Sequence, residues 1–222
     1  MQQMLSFTEE NYLKAIFHLA EEHEDAVSTN GLAESLNTKP ATVSDMIKKL
    51  ARKEFVDYKK YQGVNLTSSG RTAALKVIRK HRLWEVFLVD KLHFNWDEVH
   101  EIAEQLEHVN SPILVERLNE FLGNPKVDPH GDPIPDVNGD FQTGPKILLS
   151  EMDTNESGVI IGVSDGEPKL LQYLDKVKIR LGLKIMVLDK IEFDGSIQIQ
   201  YGEASPLFLS ATIAKHLTIR KL

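Results

Sequence analysis

Apolar residues recur at intervals of three and four through the first part of the chain, a spacing that gives an α-helix one apolar side. In residues 8–22 this stripe follows Thr8, a favourable N-cap, and acidic residues that suit a first turn. The same spacing predicts a short helix over residues 30–37 and a longer one over 39–54. Polar turns separate these segments, so the chain is predicted to begin with three helices.

The second and third helices are joined by a tight polar turn at Asn37 and Thr38, which predicts a helix-turn-helix. Residues 55–58 and 64–67 follow as two β-rich segments, and Gly63 can take the positive φ of a hairpin turn. A hairpin in this position is the wing of a winged helix-turn-helix, whose third helix enters the major groove of DNA. The alternative is a winged helix that makes only protein contacts.

Two long helices are among those predicted after the wing. One begins at Ser68 or Ser69 and continues through residue 92. The other covers residues 112–122, with Pro112 at its first position and Gly123 past its end. Helices in such a place often form the seam of a symmetric dimer, so a homodimer is expected.

The last third of the chain has a different pattern. Residues 124–145 are rich in Pro, Gly and Asp and predict a linker with fixed turns. One helical segment is predicted over residues 168–175. Short β-rich runs dominate the rest, at residues 158–163, 176–182, 184–191, 196–201 and 217–222. A small antiparallel barrel is expected, and the fold class is mainly α with β.

Residues 97–108 have the pattern of a helix with two chemically different sides. At about 100° per residue, one side collects His100, Glu104, Glu107 and His108, and the other collects apolar residues. Imidazoles and carboxylates that converge in this way are typical ligands of a divalent metal ion. The alternative is a solvated acidic surface with no ligand.

Two other pairs bear on the metal hypothesis. His81 and Glu85 are four residues apart on the preceding helix, so two facing helices could together supply more than four nitrogen and oxygen donors. Asp128 and His130 stand two apart in a D-P-H-G turn and could also hold a metal. That spacing more often serves the turn itself.

The composition limits the class of protein. The chain has 222 residues, of which 41% are hydrophobic and 27% charged, and no apolar run approaches the ~20 residues of a membrane span. The first residues lack the pattern of a secretory signal, and the absence of Cys excludes disulfides and thiolate metal sites. A cytoplasmic protein of two or three modules, with no membrane partner, is expected.

The charge distribution points to DNA. The net charge of −7 argues against nonspecific coating of nucleic acid, but residues 38–61 carry seven cationic and three acidic side chains, a local net charge of +4. This segment is the predicted recognition helix and wing, so double-stranded DNA is the expected partner. The candidates for DNA contact are Lys39, Thr42, Ser44, Asp45, Lys48, Lys49, Lys59 and Lys60.

Two other functions fit parts of the pattern. His and Glu on paired helices also hold the metal of hydrolases, but nothing in the sequence marks a nucleophile or a phosphate-binding loop, so an enzyme is not expected. The other is a winged-helix protein whose acidic helix is only surface, which would bind DNA without metal control.

Several segments carry a family resemblance: TEENYLKAIFHL, ATVSDMIKKL, LTSSGR, RKHRLWEVFL, DEVHEIAEQLEHV, DPHGDPIP and the C-terminal β-rich region. In these the chain resembles the diphtheria toxin repressor family of metal-dependent transcriptional regulators. The resemblance implies a winged helix-turn-helix domain over residues 1–72, a helical dimerisation and metal-binding domain with linker over 73–145, and an SH3-like (FeoA-like) domain over 146–222. It implies a homodimer that represses metal-uptake genes by binding a two-fold symmetric operator.

The resemblance also implies two metal ions per chain, Mn2+ or alternatively Fe2+. The primary site would use Glu104, Glu107 and His108, with Asn11 from the first helix and His81 nearby. The ancillary site would use either His81, Glu85 and His100 or Glu85, Asp128, His130 and Asp165.

The sequence departs from the family at three of these positions or their neighbours. Asn11 stands where iron-responsive members carry Met and manganese-responsive members carry Asp, whereas Glu104 is of the manganese type. Lys14 replaces a helix 1 carboxylate found in two-domain manganese-responsive members, and Asp128 stands in place of a Cys. A donor set of many hard oxygens and no sulfur favours Mn2+, the weakest binder of the divalent series.

Overall fold

The computed structural model describes residues 5–22, 26–59, 62–141, 144–164, 167–202 and 205–222. The chain divides into two compact units. The first comprises Met1–His81, Leu106–Ser111 and Pro135–Asp140, and the second comprises Arg82–Gln105, Pro112–Ile134 and Phe141–Leu222.

The first unit is a winged helix, as the sequence predicts. Its elements are α1 (Phe7–Glu22), α2 (Thr29–Ser35), α3 (Pro40–Arg52), β1 (Val56–Lys59), β2 (Gly63–Leu66) and the first part of α4 (Ser68–Leu92). β1 and β2 pair in antiparallel fashion to form the wing. The buried core of this unit includes Leu13, Ile16, Leu32, Ile47, Leu50 and Val64.

Local chemistry explains where these elements begin and turn. The Ser28 hydroxyl accepts the backbone N–H of Gly31 and caps α2, and Pro40 opens α3, where its missing N–H costs nothing. Gly63 has a φ of +96°, as predicted for the wing turn, and a Cβ there would lie 2.9 Å from the Val27 carbonyl oxygen. Only glycine satisfies both conditions at that position.

The helical part of the second unit contains the rest of α4, most of α5 (His100–Leu106) and α6 (Pro112–Phe121). Leu83 and Val86 of α4 pack with Leu118 of α6 and with Ile134. Large apolar side chains of α6 remain exposed, among them Ile113 at 70% and Phe121 at 64%.

The prediction of one helix over residues 97–108 was wrong at both ends. The backbone N–H of Glu98 bonds to the Asn95 carbonyl, and the Glu98 carboxylate accepts the Asn95 N–H, so this stretch forms a turn and α5 starts at His100. At the other end α5 stops at Leu106. Glu107 and His108 therefore lie beyond the helix.

The C-terminal part of the second unit is an SH3-like domain, as expected. Six antiparallel strands form one sheet in the order β3-β8-β4-β5-β6-β7. They are β3 (Ile147–Leu148), β4 (Ser157–Val163), β5 (Lys184–Lys190), β6 (Ile197–Gln200), β7 (Leu207–Leu209) and β8 (Leu217–Lys221). The short helices α7 (Pro168–Lys176) and α8 (Ala211–Ala214) accompany the sheet. Register shifts in β4 and β5 add the local bends that curve a small sheet.

The strand predicted over residues 176–182 is absent. α7 ends at Lys176, and both Lys178 and Gly182 have positive φ, at 59° and 82°, which an extended strand does not allow. The Gly182 N–H instead bonds to the Ile160 carbonyl of β4. No helix in the described part of the chain combines the length and the apolar character that a membrane crossing requires.

Candidate metal centres and DNA-binding surface

The first cluster of metal-type side chains surrounds Glu107 in the first unit. This carboxylate is fully buried, and its Oε2 lies 2.6 Å from His81 Nδ1 and 2.7 Å from Lys14 Nζ. Burial alone would raise the pKa of Glu107, but His81 and Lys14 outweigh it and lower the pKa. Glu107 is therefore an ionised carboxylate at neutral pH.

Two oxygens of this region lack a partner. Within the described residues, Glu107 Oε1 and Asn11 Oδ1 are buried and accept no hydrogen bond. Buried polar atoms nearly always have a partner, so each exception calls for an explanation. Both are hard oxygen donors, so both fit a divalent cation.

His108 is held by a residue that sequence reasoning did not identify. Its Nδ1 lies 2.6 Å from Glu10 Oε2, and its ring stacks on Phe7 with the centroids 4.7 Å apart. Glu10 also pairs with Lys80, at 3.5 Å. The sequence offered one signal for the role of Glu10, namely its position. Glu10 directly precedes Asn11 and lies one helical turn before Lys14.

The second cluster lies in the second unit and consists of Glu85, Asp128 and His130. Each side chain can place one ligand atom within 4.8 Å of the others, and all three residues are buried, with exposures of 2%, 5% and 6%. They come from the middle of α4 and from the D-P-H-G turn. The two-residue spacing of Asp128 and His130, which alone favours a role in the turn, therefore also brings two donors to Glu85.

The D-P-H-G turn fixes both donors. Asp128 Oδ1 accepts the backbone N–H groups of His130 and Asp132, at 2.8 and 3.0 Å, while Oδ2 faces Arg82 at 3.5 Å. His130 Nε2 lies 2.9 Å from the Trp96 carbonyl oxygen, so Nε2 is the donor. Nδ1 points to Glu85, at 3.7 Å, which is the orientation that a metal-binding histidine needs.

The electrostatics of this cluster are those of a site with excess negative charge. Burial, followed by the charges of Glu85 and Asp132, raises the pKa of Asp128. Burial would lower the pKa of His130, but Glu85, Asp128 and the bond to Trp96 raise it to about 9. A proton on His130 therefore supplies positive charge that a cation could replace.

The SH3-like domain supports the same turn. The Val163 N–H of β4 donates to the His130 carbonyl at 2.8 Å. Gly131 has a φ of +91°, and a Cβ there would collide with the Ile161 carbonyl oxygen. The Trp96 ring stacks on His130, and its indole N–H donates to Asp175 of α7 at 2.9 Å.

The remaining predicted ligands have the following positions. His100 is half exposed, with Nδ1 3.5 Å from Glu85 Oε1 and Nε2 3.7 Å from Glu104 Oε1. Glu104 is partly buried on α5 and belongs to the second unit, whereas Glu107 and His108 belong to the first. Asp165 lies outside the described residues.

The predicted DNA contacts lie on α3 and the wing. Lys39, Thr42, Asp45, Lys48, Lys49 and Lys59 are exposed, and Ser44 is partly buried. The Ser44 hydroxyl donates to the Pro40 carbonyl at 2.9 Å, and Lys48 pairs with Asp45 at 3.3 Å. Lys60 lies outside the described residues.

A second residue that the sequence did not reveal links α1 to α3. Glu9 is 1% exposed, and its Oε1 lies 2.7 Å from Lys53 Nζ and 3.3 Å from Lys49 Nζ. Burial opposes its ionisation, but Lys53, the backbone N–H of Ser6 and Lys49 hold the pKa at about 2. The helix that carries Asn11 is thus ion-paired to the helix predicted to read DNA.

Three domain descriptions match the chain in succession. Residues 4–64 match "Iron dependent repressor, N-terminal DNA binding domain", and residues 67–136 match "Iron dependent repressor, metal binding and dimerisation domain". Residues 147–221 match the FeoA domain.

Similar curated proteins carry repressor names. The chain is 38% identical to "Iron-dependent repressor IdeR" of Mycobacterium leprae over 128 residues, which are 58% of this chain and 55% of that protein. It is 34% identical to "Diphtheria toxin repressor" of Corynebacterium glutamicum over 152 residues, 68% of this chain and 63% of that protein. The chain thus spans between about half and two thirds of the length of these relatives.

Solved structures are similar over nearly the whole chain. A "Manganese-dependent transcriptional repressor complex with manganese" has 39% identity and a TM-score of 0.89, covering 96% of this chain and 100% of that one. "Structure of the manganese regulator SloR" has 33% identity and a TM-score of 0.78, covering 96% and 98%.

The winged helix, the matched domains and these relatives define a metal-dependent transcriptional regulator. More closely, the chain belongs to the iron-dependent repressor family, that of the diphtheria toxin repressor. The family and the relatives named above are regulators of transcription and not enzymes, which decides against the hydrolase alternative.

Proposed function

We propose that this protein is a metal-dependent repressor of metal-uptake genes that binds a two-fold symmetric operator as a homodimer. The observation that carries the proposal is the buried cluster of Glu85, Asp128 and His130. Two buried carboxylates beside one imidazole are costly unless positive charge compensates them. A bound divalent cation supplies that charge.

The proposal includes two ions per chain. The primary centre comprises Asn11, Glu104, Glu107 and His108, with His81 beside Glu107. The ancillary centre comprises Glu85, Asp128 and His130, with Asp165 as a fourth ligand, and His81 with His100 is the alternative set around Glu85. Manganese is proposed ahead of iron because the donors are oxygen and imidazole nitrogen without sulfur. The manganese-dependent structures named above support this choice.

The proposed link from metal to DNA runs through α1. Asn11 lies on this helix, and Glu10 of the same helix holds His108. Glu9 pairs with Lys49 of α3 and with Lys53, the residue that directly follows α3. A shift of α1 at the primary centre therefore also moves the proposed recognition helix, α3. Binding of metal to one arrangement of α1 selects the arrangement of α3 that goes with it.

The remaining parts of the proposal concern assembly and location. The exposed apolar side chains of α6, among them Ile113 and Phe121, fit a homodimer seam. The three domains are proposed at residues 1–72, 73–145 and 146–222. We also propose a cytoplasmic location, since a regulator of transcription acts where the chromosome is, which in bacteria is the cytoplasm.

Glu107→Ala tests the primary centre. An electrophoretic shift of operator DNA is titrated with Mn2+ for the parent and the variant. We expect the parent to bind more tightly as Mn2+ rises and Glu107→Ala to lose this response while it keeps a folded circular-dichroism spectrum. Glu101→Ala, which removes an exposed carboxylate from α5, is the matched control and keeps the response. A Glu107→Ala protein that responds like the parent would refute the assignment.

A further inference from the structure

Lys14 brings a positive charge into the proposed primary centre. Its side chain is 12% exposed, and its Nζ lies 2.7 Å from Glu107 Oε2 and 3.4 Å from His81 Nδ1. The ammonium group thus contacts one carboxylate oxygen and one imidazole nitrogen of the kind that a metal would use.

Two buried oxygens near Lys14 accept no hydrogen bond from any of the described residues. Glu107 Oε1 faces away from the salt bridge, with His108 Nε2 at 3.9 Å, and Asn11 Oδ1 is buried one helical turn before Lys14. Lys14 therefore pairs with Glu107 Oε2 and leaves Glu107 Oε1 available to a metal ion. A second cation close to the ammonium would meet like-charge repulsion, which is strong at a buried position.

We propose that Lys14 is a tethered cation that competes with metal at the primary centre. It neutralises Glu107 in the metal-free protein and raises the metal concentration at which the centre fills. The inference rests on the proposed function, because it assumes that the centre takes a metal at all.

The competing explanation is that the salt bridge between Lys14 and Glu107 serves only to stabilise the fold. Glu107 is fully buried and needs a counter-charge, so an ammonium partner would be retained for folding alone. The two explanations differ in one measurable respect. If Lys14 is structural only, its removal lowers stability and leaves metal affinity unchanged. If it competes, its removal raises the affinity of the primary centre for metal.

The test uses full-length protein in a His130→Ala background, which disables the ancillary centre. Mn2+ binding is followed by electron paramagnetic resonance of the free ion during titration. We expect Lys14→Gln to raise the Mn2+ affinity by on the order of tenfold or more, since the repulsion between like charges is removed. Lys14→Arg, which keeps the charge, and Lys76→Gln, which removes an exposed charge from α4, should bind as the background protein does.

The outcomes separate the two proposals. Unchanged or weaker binding in folded Lys14→Gln overturns the role of Lys14. If Lys14→Gln does not fold, Lys14→Met keeps the apolar stem of the side chain and decides by the same measurement. The parent protein, with His130 intact, is titrated in parallel. If it binds no Mn2+ at all, the proposed function fails, whereas normal binding there with no gain in the variants contradicts only the competing cation.

Discussion

Three charged side chains of α1 connect this helix to other parts of the first unit. Glu9, Glu10 and Lys14 lie within two turns of α1, and they pair respectively with α3, with His108 and with Glu107. Glu9 is the most buried of the three, at 1% exposure. Removal of one partner from a buried ion pair leaves an uncompensated buried charge, which costs more than the loss of an exposed pair.

The depressed pKa of Glu9 predicts a dependence of stability on pH. The pKa falls from an ordinary value of 4.5 to about 2 in the folded protein, so the unfolded chain takes up the proton first as the pH drops. The stabilisation is complete above pH 4.5 and is lost as the pH falls toward 2. Its maximum is about 3 kcal/mol.

Glu9→Gln should therefore destabilise the protein at pH 7, and its difference from the parent should shrink as the pH falls below 4.5. Urea unfolding of both metal-free proteins between pH 7 and 3 measures this difference. Glu34→Gln, on the exposed side of α2, is the control and should change little. A difference between Glu9→Gln and the parent that stays constant across this range would contradict the prediction.

At the scale of elements, the D-P-H-G turn depends on strand β4. The Val163 N–H holds the His130 carbonyl, and the missing Cβ of Gly131 lets the turn approach the Ile161 carbonyl. The turn is thereby kept at the place where Asp128 and His130 face Glu85. The backbone of the SH3-like domain thus supports the turn that carries two ligands of the proposed ancillary centre.

Gly131→Ala should disturb this contact. The added Cβ must move the turn away from β4, and the positive φ of Gly131 adds strain, so we expect a loss of stability of about 2 kcal/mol or more and weaker Mn2+ binding at the ancillary centre. Thermal unfolding and a Mn2+ titration measure the two effects. Gly123→Ala is the matched control, because its φ is also positive, at +79°, and none of the described residues comes within 4 Å of the added Cβ. Equal effects of the two substitutions would mean that only backbone strain matters.

The elements were predictable where the signal was local. The apolar periodicity of α1, α3 and α4 and the glycine of the wing turn, Gly63, each act over a few residues, and each prediction was confirmed. The prediction failed where a side chain or a φ angle overrode the pattern. The Glu98 side chain caps a turn ahead of α5. Lys178 has a positive φ, which a lysine does not predict.

Across the whole molecule, the proposed metal ligands were predictable from the family resemblance, but the ion pairs around them were not. The resemblance predicts Glu85, Asp128 and His130, with Asp165, as one of two alternative ligand sets, and the structure brings the first three together. The pairs of Glu9 with Lys53 and of Glu10 with His108 join residues about 44 and 98 positions apart, which no spacing rule covers. Such contacts arise from packing and become visible only in the folded chain.

We propose that metal bound by these side chains controls the affinity of the protein for operator DNA. The most direct test is the fluorescence anisotropy of labelled operator DNA, titrated with protein in excess EDTA and then in Mn2+. We expect weak binding in EDTA and tight binding after addition of Mn2+, and we expect Glu107→Ala to lose the tight binding. Equal affinity in EDTA and in Mn2+, for protein shown to be free of metal, would contradict it.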